Sequence, residues 1–198
     1  MSGTYPSTPE FASIGFSSEQ KTITSTTDSG KMFSVQVDGQ RFKFSATYPP
    51  MTRSEFAPVY AFIMKQRSQK ETFQISIPDL KNAKGDVAGL ISTDGNHTAG
   101  DTTIDIQGIT NGTTLKAGDM IKFNAHTKVY MVVEDATGDV SNNATITIEP
   151  PLREDVLSGD TILYDNIPFT VRLTNDVQEF NTSDLDLYRF EVDFIEAL

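Results

Sequence analysis

Between Arg41 and Ile77 the spacing of apolar residues changes period twice, and this change constrains the fold more than any other feature of the chain. Phe42, Phe44, Ala46 and Tyr48 alternate with polar residues, the period of a strand with one covered face. Pro49-Pro50 ends that run, since neither proline donates to a ladder. Phe56, Val59, Tyr60, Ile63 and Met64 then recur at helical spacing as one apolar stripe. Phe73, Ile75 and Ile77 restore the two-residue period. One helix is cradled between strands.

The helix is placed at residues 52–67. Thr52 and Glu55 form a capping-box pattern in which each side chain satisfies an orphan N–H, and Met51 and Phe56 occupy the positions of a hydrophobic staple. Pro58 removes a backbone bond if Thr52 is the cap, and lies at the end of the first turn if Ser54 is. Lys65 and Arg67 suit the negative pole of the helix dipole.

Upstream, Phe33, Val35 and Val37 alternate with polar residues and predict a strand with one buried face. Asp38-Gly39 follows, the pair best able to supply positive φ in a tight turn, so residues 33–48 read as a β-hairpin. Residues 1–30, rich in Ser, Thr, Gly and Pro, read as an extended arm with a strand near Lys21–Thr27. Downstream, Phe169, Val171 and Leu173 alternate, as do Tyr188, Phe190, Val192 and Phe194. Glu191, Asp193 and Glu196 are assigned to a wet, acidic face of that last strand.

The middle of the chain differs. Of the net charge of -11, residues 83–164 carry -7, from 12 acids and 5 bases. Short strands around Ile104–Ile106, Met120–Phe123, Lys128–Val133 and Ala144–Ile148 are separated by turn clusters, the signature of a small barrel or sandwich. The fold class is therefore mainly β with one helix (α+β). Residues 31–82 and 165–198 form one sheet domain, and a small β-barrel is inserted at 83–164.

Composition narrows the function. The chain of 198 residues has no cysteine, so thiolate metal sites and disulfides are excluded. An acidic balance argues against gripping duplex DNA, which needs a basic face. No basic and apolar leader opens the sequence, and no apolar run reaches the roughly 20 residues of a membrane span. The Asn-x-Ser/Thr triplets at Asn96, Asn111, Asn143 and Asn181 read as products of composition. His97 and His126 have no spacing that relates them, and each reads as a surface loop residue. Glu134, Asp135 and Asp139 lack the ordered oxygen spacing of a calcium loop and read as a polar turn. Asp184 and Asp186 are the carboxylate pair available for acid–base work on a glycan, with a solvated loop as the bland reading. The chain offers neither a nucleophile elbow nor a phosphate-cradling glycine loop. No catalytic, cofactor-binding or metal residue is assigned, and no cofactor is expected.

The segment "QRFKFSATYPPMTRSEFAPVYAFIMKQRSQKETFQISIP" resembles the N-terminal core of the distal tail and minor tail proteins of long-tailed bacteriophages. The matching positions are Arg41 with Phe42, Glu55 through Phe62, and Arg67, Ser68 and Phe73. Many relatives carry glycine at the place of Ser68 and tryptophan at that of Phe42. "LKAGDMIKF" (Leu115–Phe123), "KVYMVVEDATGD" (Lys128–Asp139) and "ATITIEPPLRED" (Ala144–Asp155) are similar to a module that recurs in phage virion proteins. The closing "PFTVRLTNDVQEF" and "LYRFEVDFIEAL" are similar to the family's last strands. The likeness covers about residues 30–198 and extends to contractile-tailed phages of cyanobacteria.

This resemblance implies a β-sandwich belt domain that closes into a ring, sixfold by family likeness, at the tube tip or baseplate. It implies a structural virion protein, made in the host cytoplasm and acting as an assembly adaptor around the DNA channel. The implied partners are further copies and neighbouring tail tube and baseplate proteins, with no specific nucleic-acid binding, no membrane and no enzymatic activity. The alternative is a carbohydrate- or receptor-binding module of the tail tip. Within a ring, the C-terminal strand is the expected intersubunit edge.

Overall fold

The computed structural model describes residues 3–182 and 187–198. In chain order the elements are β1 (Ser13–Thr26), β2 (Met32–Thr47), α1 (Arg53–Lys65) and β3 (Phe73–Ile75). Then follow β4 (Ser92–Thr93), β5 (Thr103–Gln107), β6 (Thr114–Leu115), β7 (Met120–Phe123), β8 (Tyr130–Val132), β9 (Ala136–Thr137), β10 (Asn143–Glu149) and β11 (Ile162–Leu163). The chain closes with β12 (Phe169–Leu173), β13 (Phe180–Thr182) and β14 (Tyr188–Glu196). Among the described residues the protein is mainly β with one short helix, in keeping with its alternating periods. Residues 1–73 and 171–198 make one compact unit and residues 74–170 another.

The first unit is built on a sheet of order β1-β2-β14-β12-β3, with β13 also paired to β14. β14 is thus an interior strand. It holds β2 on one side (Glu191↔Thr47 to Ile195↔Lys43), and on the other β13 (Phe180↔Phe190) and β12 (Leu173↔Phe194). The expectation that this C-terminal strand offers a free edge is therefore corrected: its backbone groups are already used. Glu196 is corrected as well. It shares the parity of Phe190, Val192 and Phe194, is fully buried, and its Oε2 accepts the Phe42 N–H at 3.2 Å.

The helix begins at the Thr52 cap, where the Glu55 carboxylate accepts the Thr52 N–H at 2.9 Å and its hydroxyl at 2.8 Å. Pro58 lies inside the helix, so Ser54 is not the cap. Phe56, Val59 and Ile63 are buried, whereas Met64, expected in the stripe, is 57% exposed. Phe56 stacks on Tyr188 (4.8 Å between ring centroids) and meets Phe190 edge-on (5.7 Å). The helix ends at Lys65 because Arg67 and Ser68 adopt left-handed φ of 54° and 62°. Glycine enters that region freely, so Ser68 stands where a glycine would be unstrained.

The N-terminal residues are more than a loose arm. Tyr5 is buried among Phe62, Phe73 and Phe194 (centroids at 5.4, 5.8 and 5.3 Å). The Tyr48 hydroxyl donates to the Tyr5 hydroxyl at 3.0 Å. Burial pushes the Tyr48 phenol up to about 12 and raises that of Tyr5 further.

In the second unit the four strands expected from the sequence are β5, β7, β8 and β10. They lie in a sheet of order β11-β7-β8-β10-β5-β4, with β6-β9 as a separate pair. Its two ends meet: Ser92 bridges Thr161, the Thr93 N–H donates to Asp160 O (3.0 Å), and the Ile162 N–H donates to Ile91 O (2.9 Å). The sheet nearly closes into a barrel around Ile104, Ile106, Ile121, Phe123, Tyr130, Val132, Ile146 and Ile148. The Asp119 carboxylate of "LKAGDMIKF" is buried and accepts the N–H groups of Lys84 (2.7 Å) and Lys116 (2.8 Å), and of Gly85 at 3.4 Å. That motif is a loop staple.

Candidate assembly interface

Residues 13–47 form one long hairpin whose turn differs from the one the sequence suggests. The chain reverses at Thr27–Lys31: the Thr27 N–H donates to Lys31 O (2.9 Å), the Gly30 N–H donates to Thr27 O (2.8 Å), and Gly30 has φ +80°. Asp38-Gly39 lies within β2 as part of a bulge. Glu19 pairs with Arg41, and the next pair is Lys21 with Val37, so Asp38–Gln40 stand opposite Gln20 alone. Gly39 supplies positive φ, +105°, for a kink rather than a reversal. The buried Gln40 pins the bulge by donating from Nε2 to Ser18 Oγ at 2.7 Å.

The bulge divides the hairpin in two. On its base side Phe42, Phe44 and Ala46 are buried. Beyond it β1 is the strand paired with β2, because the β14 ladder reaches only Lys43. Phe33, Val35 and Val37, expected on a buried face, are 50%, 66% and 36% exposed. In antiparallel pairs opposed residues share a face, so Ile23 (opposite Val35) and Lys21 (opposite Val37) join Phe33 on one side. Thr22, Thr24, Ser34 and Gln36 fall on the other. The distal hairpin thus has an apolar face and a hydroxyl- and amide-bearing one, both in water.

Cations frame the apolar face. The Lys31 ammonium sits 5.1 Å from the Phe33 ring centroid, a favourable approach to the ring's negative face. Near the bulge, Lys43 Nζ contacts Glu19 Oε2 at 2.6 Å. Hydrogen bonding and charge attraction from Lys43 hold the Glu19 carboxyl below its ordinary value.

Among the described residues, the groups considered for chemistry make hydrogen bonds within the fold. His126, expected at the surface, is buried: its Nε2 donates to Asp155 O (3.4 Å), and Nδ1 shares a hydrogen bond with the Tyr130 hydroxyl (3.0 Å). That hydroxyl also accepts the Arg153 N–H (3.2 Å). His97 Nε2 accepts the Asp105 N–H at 3.3 Å. The Thr147 hydroxyl donates to Glu134 (3.1 Å), the Lys116 ammonium to Asp135 (2.8 Å), and the Ser141 and Asn143 N–H groups to Asp139 (2.7 and 2.8 Å). Asp184 and Asp186 lie outside the described residues. Among the described residues no helix is long and apolar enough to cross a membrane.

Two comparisons bear on identity. The family model described as distal tail protein pb9, B domain, matches residues 79–167. Distal tail protein pb9 of Escherichia phage T5 is 24% identical over 178 residues, covering 84% of this chain and 83% of that protein. Over most of its length the chain is similar to a phage distal tail protein. That likeness supports a virion component with a structural role in the tail. The B-domain match falls within the barrel-bearing unit, residues 74–170. In the sequence, Thr22, Thr24, Ser34 and Gln36 mark the polar face of the hairpin, while no local signal marks the apolar face as uncovered.

Proposed function

We propose that this chain assembles with copies of itself into a ring, sixfold by family likeness, at the tube tip or baseplate. There it serves without catalysis as an adaptor between neighbouring tail proteins around the DNA channel. The observation that carries this reading is the distal hairpin, which presents Ile23, Phe33, Val35 and Val37 to water. An exposed apolar row rimmed by polar residues is a docking surface. The likeness to a tail protein supports a virion protein as the partner.

Magnitudes favour a closed assembly over an isolated pair. Fully burying a large apolar side chain is worth about 1.5–3 kcal/mol. Four half-exposed ones supply about 4 kcal/mol, at the lower end of the cost of associating two bodies. A ring holds each subunit through two contacts, and closure makes the last of them intramolecular. The net charge of -11 suits a channel that passes a polyanion without retaining it.

Light scattering on purified protein across a concentration series tests the reading. Wild type is expected to give a single closed species, and Val35→Glu to give monomer with unchanged folding. A monomer at every concentration, or a Val35→Glu protein that assembles normally, would overturn it.

A further inference from the structure

The hairpin has an apolar, cation-framed face, and elsewhere on the same unit lies a surface of opposite character. On the face of β13 and β14 turned away from the helix is an open groove of about 650 Å³, lined by Asp176, Glu179, Asn181, Arg189 and Glu191, with Val177 contributing an apolar patch. Phe180 and Phe190 point the other way, each ring meeting Phe56. β-strand alternation puts Glu179, Asn181, Arg189 and Glu191 on the groove side.

The groove wall is pre-formed. Loop 174–179 is tied to the turn after the helix by Ser68 Oγ donating to Asp176 O (3.0 Å), and to the helix by Tyr60 Oη donating to Gln178 O (3.4 Å). The Thr174 N–H secures its start on Asp193 O at 3.1 Å. A fixed wall lowers the ordering entropy that binding must overcome. Val177 is 69% exposed at its rim.

Resting on the ring reading, we infer that this groove receives the distal hairpin of the next copy. The hairpin's apolar face carries Lys21 and Lys31; the groove carries three carboxylates and one guanidinium. The chain is strongly acidic, so a self-association surface that sets cations against acids avoids like-charge repulsion, and this pairing does so. Opposite rim charges steer encounter and fix register. The two surfaces are different patches, which makes the contact heterologous. A contact of that type propagates head to tail until rotation closes it, so the groove explains why assembly yields a ring rather than a twofold dimer.

A charge exchange tests the inference. One variant carries Lys21→Glu with Lys31→Glu, the other Glu179→Lys with Glu191→Lys. All four positions lie on the surface, so both proteins are expected to keep the wild-type melting temperature. Each alone is expected to associate at least about tenfold more weakly than wild type at low salt. Mixed in equal amounts they are expected to regain assembly, with the two variants alternating, because each altered hairpin then meets a groove of opposite sign. A groove variant that assembles like wild type, or a mixture that stays dissociated, overturns the groove assignment and leaves the ring reading standing. A wild type that is monomeric at every concentration removes both.

Discussion

Ile23 lies directly across from Val35 in the β1–β2 ladder, and the two side chains are 64% and 66% exposed. Apolar cross-strand pairs ordinarily anchor a sheet to its core. This pair has nothing over it. Ile23→Asp or Val35→Asp should therefore shift the melting temperature of the monomer little, surface changes falling within about 0.5 kcal/mol, while removing association. Calorimetry beside sedimentation separates the two effects; a large loss of stability would mean that the hairpin face is covered within its own chain.

Phe56 carries the opposite expectation. Its ring is buried against Tyr188, Phe190 and Phe180, and truncating a buried aromatic costs about 3–5 kcal/mol. Phe56→Ala should destabilise the first unit by that amount in urea titration. Phe62, half-buried against Tyr5 and Phe73, should cost less. Equal losses would contradict the packing described.

Asp119 accepts three backbone N–H groups from two segments. Asp119→Ala leaves those donors without their acceptor, at about 1–3 kcal/mol for each one buried. The barrel should lose stability and the Lys84–Gly85 amides should lose hydrogen-exchange protection. Amides that exchange as slowly as in wild type would rule out the staple.

Acid should loosen the helix start. Hydrogen bonds from the Thr52 N–H and hydroxyl hold the Glu55 carboxyl below its ordinary value. A depressed carboxyl contributes stability that is present above its unfolded pKa and lost as pH falls through the folded one. Amide protection of the first helical turn should thus decline below about pH 4.5, the ordinary glutamate value, and Glu55→Gln should abolish that dependence. A variant with the same acid profile would assign the transition to another group.

We propose that the barrel is separable from its flanks. The Ala83 N–H donates to Tyr164 O (2.9 Å) and the Asn166 N–H to Asn82 Oδ1 (3.0 Å), so the two ends of 83–164 lie side by side. Replacing that segment by a short Gly/Ser linker should preserve cooperative unfolding of the remainder, since closely spaced ends tolerate excision. A linker protein without a cooperative transition would refute independence.

What the sequence disclosed followed how locally each choice is made. The run Phe42–Tyr48, the capping pair Thr52 and Glu55, and the four barrel strands depend on period and short-range hydrogen bonds, and all were legible. Asp38-Gly39 was not, because the same positive φ serves a turn and a bulge; what decides is whether a strand waits on the far side, and β1 is so rich in Ser and Thr that it resembles an arm. Phe33, Val35 and Val37 have the alternation of a covered strand, but alternation records which residues share a face and not whether anything covers it. Glu196 needed only parity with Phe194. The groove of β13 and β14 gathers residues from a loop and two strands through tertiary pairing alone, beyond the reach of local pattern.

The paired ends of the barrel segment also set how the chain bears load. Ile167 donates its N–H to Lys81 O at 2.9 Å, beside the Ala83–Tyr164 contact, so the segments that lead in and out form a clasp. Tension applied to the two segments just outside that clasp reaches it first, and while it holds, the barrel core is mechanically bypassed. A stretched molecule should yield there before a single barrel strand separates, so the unit acts as a closed link that is sheltered from pulling forces and still carried wherever the flanks go.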